Sequence, residues 1–214
     1  MFLKTAGFKR LIKEAYKGAG LRIGSTDDAV YLSGGWWVIW VRKGGIPKEK
    51  LAAIIELVGE LPEPGIAYSA TKDGQQYELQ WNDLYDAMKN AGECQYNMEI
   101  TRTIIEGKCD SDSRVLQHSE TGCIRLINES LFGMIDGNAV DIEKGHTWPE
   151  GPVCGRRPGV FWYNNVMALH VMERTDDAAM RLIRFLEGID INEESKKIRS
   201  DVSENPIEEE AEET

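Results

Sequence analysis

Histidines, cysteines and clustered carboxylates are the side chains most able to ligate metals, attack carbonyls or move protons. The three histidines, His118, His146 and His170, fall in the approach to a turn, in a loop and in a strand. No HxxxH or HExxH spacing puts two of them on one helix face. The four cysteines, Cys94, Cys109, Cys123 and Cys154, contain no CxxC pair, and even with His118 added they match no zinc framework. They read as ordinary buried or half-buried thiols, and no metal or other cofactor is implied. Cys109-Asp110-Ser111-Asp112-Ser113 begins like a calcium loop but lacks the glycine and the closing glutamate that such a loop needs. A solvated turn is expected there. Gly18-Ala19-Gly20-Leu21-Arg22-Ile23-Gly24 follows a helix and precedes a strand, the reverse of a dinucleotide fingerprint. There is no GKS, GKT or GxSxG motif either. A non-enzymatic role is the expectation.

Charge placement carries more information. The chain has 214 residues, with 25 Lys and Arg against 36 Asp and Glu, for a net charge of −11. Residues 193–214 hold nine acids and three bases, a net of −6, which leaves −5 for residues 1–192. That tail has few apolar groups to bury, so it is expected to be disordered or a frayed helix. Against this acidity, the first 17 residues carry Lys4, Lys9, Arg10, Lys13 and Lys17 and a single acid, Glu14. Lys9, Lys13 and Lys17 recur at i, i+4 and i+8, along one side of a helix, with Arg10 adjacent. Arg181 and Arg184 lie three apart near the end of the last helical pattern. Such rows are either solvated faces or phosphate-facing stripes on an acidic body. Trp36-Trp37-Val38-Ile39-Trp40-Val41 is apolar on both faces, which fits a central strand or a partner-binding groove. The stretch from His146 to Gly159, with Trp148, Arg156 and Arg157, is either a functional loop or a surface excursion.

These residues need elements to hold them. Phe8, Leu11, Ile12 and Ala15 make the stripe of a helix over 2–16, stopped by Gly18 and Gly20. Three short strands, 21–23, 29–32 and 36–41, follow as a meander. Pro47 opens a second helix with Leu51, Ile54, Ile55 and Val58 on one face. Strands are expected at 66–70 and 76–80, a helix at 81–91, and strands at 98–105, 114–117, 123–127 and 131–135. A long loop over 136–159, a strand over 161–172 and a helix over 176–186 complete the pattern. Helices interleaved with antiparallel meanders indicate α+β rather than a doubly wound sheet. The segments 23–40 and 117–134 share a strand–turn–strand–turn–strand pattern. Two similar domains, 1–92 and 93–190, with an acidic tail at 191–214, therefore fit, and one mixed α+β domain is the alternative. No window of 18 apolar residues and no secretory start are seen, so the cytoplasm is the expected location.

The order of elements from 3 to 80 resembles a domain of the DNA sliding clamps, the polymerase processivity rings. The likeness rests on the opening helix, the meander, the Ile46-Pro47-Lys48-Glu49-Lys50-Leu51 entry to the second helix and its exit at Leu61-Pro62-Glu63-Pro64-Gly65. Asn165-Val166-Met167-Ala168-Leu169-His170-Val171-Met172 is similar to a clamp's closing strand. Length and acidity are similar to those of the two-domain clamps of phages. The resemblance implies a homo-oligomeric ring closed by edge strands, around double-stranded DNA, with a polymerase-type protein as partner. It implies sequence-independent phosphate contacts from Lys9, Arg10, Lys13 and Lys17, with Arg181 and Arg184 adding to them. The competing expectation is an α+β interaction module that uses the Trp-rich strand or the 146–159 loop and touches no nucleic acid.

Overall fold

The structure is a computed structural model, and it describes residues 1–74, 76–78, 86–107, 112–139, 145–155 and 157–191. The first half contributes α1 (Thr5–Lys17), β1 (Leu21–Ser25), β2 (Ala29–Ser33), β3 (Trp37–Arg42), α2 (Lys48–Val58), β4 (Ala67–Ala70) and β5 (Gln76–Glu78). Then come α3 (Ala87–Gly92), β6 (Tyr96–Asn97), β7 (Glu99–Ile105), β8 (Ser113–Gln117), β9 (Ile124–Asn128) and α4 (Glu129–Phe132). The chain continues through β10 (Glu150–Cys154), β11 (Val160–Tyr163), β12 (Met167–Val171) and α5 (Asp177–Leu186). The fold is α+β, as the interleaving of helices and meanders predicts.

Among the described residues there are two antiparallel sheets. The large one has nine strands in the order β5-β4-β1-β2-β3-β12-β11-β10-β6, and the small one has the order β7-β8-β9. Strands from both halves of the chain meet where β3 pairs with β12, Ile39 opposite Leu169. Alternation along β3 explains its all-apolar sequence. Trp37, Ile39 and Val41 enter the main core with α1 and α2, while Val38 and Trp40 pack with Ala87 and Ala91 of α3. Leu116 and Ile127, from one face of the small sheet, close the main core. The opposite face, Val115, Ile124 and Leu126, carries Ala179 and Ile183 of α5. The layers therefore run α3, large sheet, main core with α1 and α2, small sheet, α5.

Several expected elements differ. The helix expected from Phe2 begins at Thr5, because Leu3 is drawn into a bridge with Ile135 and Phe2 into the core. Where a strand is expected at 131–135, the helix α4 runs to Phe132, its start fixed by the Asn128 side chain accepting the Ser130 N–H at 2.8 Å, and a turn at 133–134 leads to Ile135 in its bridge with Leu3. The single strand expected over 161–172 is the β11–β12 hairpin. Its turn closes when Asn164 Oδ1 accepts the N–H groups of Val166 and Met167. The loop expected over 136–159 contains β10. Consequently the second meander of the large sheet is β10–β11–β12, whereas 117–134 holds the end of β8, then β9 and α4. Residues 79–80 of the expected 76–80 strand, 81–85 of the expected 81–91 helix, Cys109 and Asp110, Arg156 and the tail from 192 lie outside the described residues. No helix among the described residues is long and apolar enough to cross a membrane.

His170 shows how this packing sets a chemical state. Its ring stacks on Phe161 at 4.2 Å, 10° from parallel, and Nε2 lies 2.9 Å from the Pro158 carbonyl. Burial, with Arg157 adding to it, pushes the imidazole below its ordinary value of 6.5. The folded state therefore holds fewer protons than the unfolded one in the window just below 6.5, and stability falls as pH drops through it. Thermal unfolding measured at about pH 7.5 and about pH 5 should show a loss that His170→Phe reduces. An unchanged pH dependence in that variant would reject this assignment.

Candidate binding cleft and basic helix crest

Phe8, Leu11 and Ile12 seat α1 in the main core. Their spacing leaves Arg10, Lys13 and Lys17, at i, i+3 and i+7, on the helix crest, all exposed. Lys9 is turned toward α2, and its Nζ is 2.7 Å from Glu49 Oε1. Arg10 Nε stands 3.9 Å from Glu14 Oε1, a loose contact between two exposed side chains. Lys13 and Lys17 have no ion pair among the described residues. Arg181 and Arg184 are exposed on α5. The structure thus gathers Arg10, Lys13 and Lys17 on one crest and diverts Lys9. It sets Arg181 and Arg184 on the far side of the small sheet from the core that holds α1.

Beside the crest lies a cleft of about 730 Å³ walled by α1, the β2–β3 turn, the start of α4 and the segment after β12. The turn is Ser33-Gly34-Gly35-Trp36. A Cβ on Gly34 would stand 2.7 Å from the Trp37 ring, and Gly35 has φ +90°. This tight reversal buries Trp37 and leaves Trp36 70% exposed at the rim. The Trp36 carbonyl accepts the Met172 N–H at 2.9 Å, which ties the rim to the opposite wall.

That wall is a chain of ion pairs. Both oxygens of Glu173 accept from Arg125 Nη1, at 2.7 and 2.9 Å, with the Glu173 side chain only 8% exposed. Arg174 donates to Asp176 Oδ2 at 2.9 and 3.1 Å and to Ser113 Oγ at 3.0 Å. Asp176 also caps α5 by accepting the N–H groups of Ala178 and Ala179. These hydrogen bonds hold its carboxyl below the ordinary range. Volume, an exposed indole and polar groups among Leu11, Leu131, Met134 and Met172 suit a ligand or a partner's side chains.

The other sequence candidates go elsewhere. His118 Nδ1 is 2.8 Å from Thr121 Oγ1, and its ring meets Tyr96 edge-on. Burial raises the Cys94 thiol to about 11 and raises Cys154 as well, so neither offers a thiolate near neutral pH. Among the described residues no group of three His, Cys, Asp or Glu side chains is placed to hold a metal ion. The Trp-rich strand is covered on both faces, and only Trp36, just before it, is exposed. Thr147 of the 146–159 loop is held by hydrogen bonds to Asn164 and Asn165, while Trp148 points outward, 54% exposed. Sequence reasoning missed Arg174, Glu173 and the rim role of Trp36. The Gly34-Gly35 pair just before Trp36 was the local signal for the last.

Comparison with known proteins finds no family model, no curated protein and no solved structure that matches this chain.

Proposed function

We propose that this chain is a non-enzymatic, clamp-like DNA-associated protein that meets duplex phosphates through the crest of α1, without reading sequence. The observation that carries the reading is the gathering of Arg10, Lys13 and Lys17 on one exposed crest, Lys13 and Lys17 without ion pairs among the described residues, in a chain of net charge −11. A partner responds to the local field, so such a crest attracts a polyanion while the acidic remainder orients it. In this reading the setting is the cytoplasm, and a polymerase-type protein is a partner. Closure into a homo-oligomer would pair exposed sheet edges, and Arg181 and Arg184, across the small sheet from the core that holds α1, lie outside the crest that meets the duplex.

Fluorescence anisotropy with a labelled duplex of about 30 base pairs at roughly 50 and 200 mM salt tests this. Lys13→Glu with Lys17→Glu should weaken binding about tenfold or more and lower the salt slope by about two, one per lysine. Binding that ignores salt, or a double variant that binds like the parent, overturns the proposal.

A second reading follows from the exposed Trp36 over the cleft, namely docking of an extended segment from a partner protein. Trp36→Ala would then abolish partner capture, and the lysine reversals would leave it intact.

A further inference from the structure

We infer that the acidic segment 208–213 of this same chain docks on the crest formed by Arg10, Lys13 and Lys17 and competes there with DNA. The competition rests on the DNA-binding reading, but the contact itself does not.

Three observations support it. Residues 200–214 hold seven acids and no base, and Glu208-Glu209-Glu210 with Glu212-Glu213 is their densest run. The chain leaves the described fold at Ile191, which is buried and fixed by Gln117: Ile191 N–H donates to Gln117 Oε1 at 2.9 Å, and Gln117 Nε2 donates to the Ile189 carbonyl at 2.7 Å. From that anchor, Glu208 lies 17 residues along the chain, a reach of up to roughly 55 Å when extended. A body of this size is about 40 Å across and about 60 Å around half its girth, and Glu213, 22 residues from the anchor, reaches up to roughly 70 Å when extended, so the end of the acidic run can pass over the surface to α1.

The rival surface is α5, with Arg181 and Arg184, but the stretch that follows it in sequence, 192–199, carries Lys196, Lys197 and Arg199 against Glu193 and Glu194, a net of +1. α5 itself offers only two exposed cations, Arg181 and Arg184. Among the described residues the densest set of exposed cations is on α1, where Arg10, Lys13 and Lys17 lie within eight residues. Tethering makes the contact intramolecular, at an effective concentration on the order of millimolar, and added salt weakens it.

Zero-length carbodiimide coupling of carboxylates to amines, applied to the dilute full chain and read by peptide mass spectrometry, tests the contact directly. Lys9 to Glu49, 2.7 Å apart, is the internal positive control. Links from Lys13 or Lys17 to Glu208–Glu213 are expected in the monomer, and they should fade at high salt. With the control link present, their absence, or tail links only to other lysines, overturns the inference. In the anisotropy assay, changing the five glutamates of 208–213 to glutamine should tighten duplex binding about tenfold at low salt. Lys13→Glu with Lys17→Glu should erase that gain, and Arg181→Glu with Arg184→Glu should not. Equal affinity of parent and glutamine variant overturns the competition while leaving DNA binding in place. Cross-links without DNA binding by either chain refute the DNA reading and keep the contact.

Discussion

Glu173→Gln is expected to destabilise the fold by about 3 kcal/mol, because it strands the Arg125 guanidinium between the sheets. Glu173 is nearly enclosed, and Arg125 retains 26% of its side-chain exposure. Both carboxylate oxygens are used by Nη1, and Nε is buried with no hydrogen-bond partner among the described residues. A neutral amide offers one acceptor and no charge, so the cation keeps its desolvation penalty and loses its compensation. The remaining water contact on Arg125 puts the figure at the lower end of the range of about 3–5 kcal/mol for breaking buried pairs. In a domain of this size it corresponds to a fall in Tm of about 6–12 °C. Removing both charges, as Arg125→Met with Glu173→Leu, should recover most of the loss, since a matched apolar pair has no charge to desolvate. Urea unfolding of the two single variants and the double variant provides the cycle. A single-variant loss below about 1 kcal/mol would mean that water already solvates Arg125.

The elements that were legible in the sequence are those whose signal is local. Phe8, Leu11 and Ile12 gave α1, the Pro47 entry gave α2, and Ser25 to Asp28 and Ser33 to Gly35 punctuated β1–β3. The misread elements are those where local and tertiary signals diverge. Leu131-Phe132-Gly133-Met134-Ile135 is too short and too uniformly apolar for a period to show, so the Asn128 cap decides for a helix through Phe132 and a turn follows. Asn164-Asn165 reverses the chain inside what looked like one strand, because the turn is made by the Asn164 side chain rather than by a glycine.

The candidate site divides in the same way. Helical spacing shows which cations share a side of α1, but it does not show that Glu49, 40 residues away, engages Lys9 and leaves the crest to Arg10, Lys13 and Lys17. The cleft was illegible because four segments between Gly7 and Asp176 build it. Glu173 lines the cleft with Trp36 and pairs with Arg125, so core stability and cleft shape are coupled there.

Phe8→Ala should be the costliest single truncation in α1, at about 4 kcal/mol. The helix has little else to hold it. Lys4 at its N-cap makes no side-chain hydrogen bond to the helix, and its first turn carries no acid. Thirteen residues are marginal for an isolated helix in water, so tertiary packing stabilises it. Phe8 is fully buried in the main core, and Gly7 beside it lies so close to Met134 that an added Cβ would sit 2.6 Å from that side chain. Helix and α4 region therefore meet at close range, and a void under Phe8 has little room to collapse. The expected result is a Tm lowered by roughly 10 °C, with helix signal by circular dichroism lost ahead of the sheet transition. Phe8→Leu keeps most of the volume and should lose about 1.5 kcal/mol or less. If Phe8→Ala proves no worse than Phe8→Leu, α1 is not held by this contact. The crest of Arg10, Lys13 and Lys17 would then lack the rigid support on which its presentation to a polyanion depends.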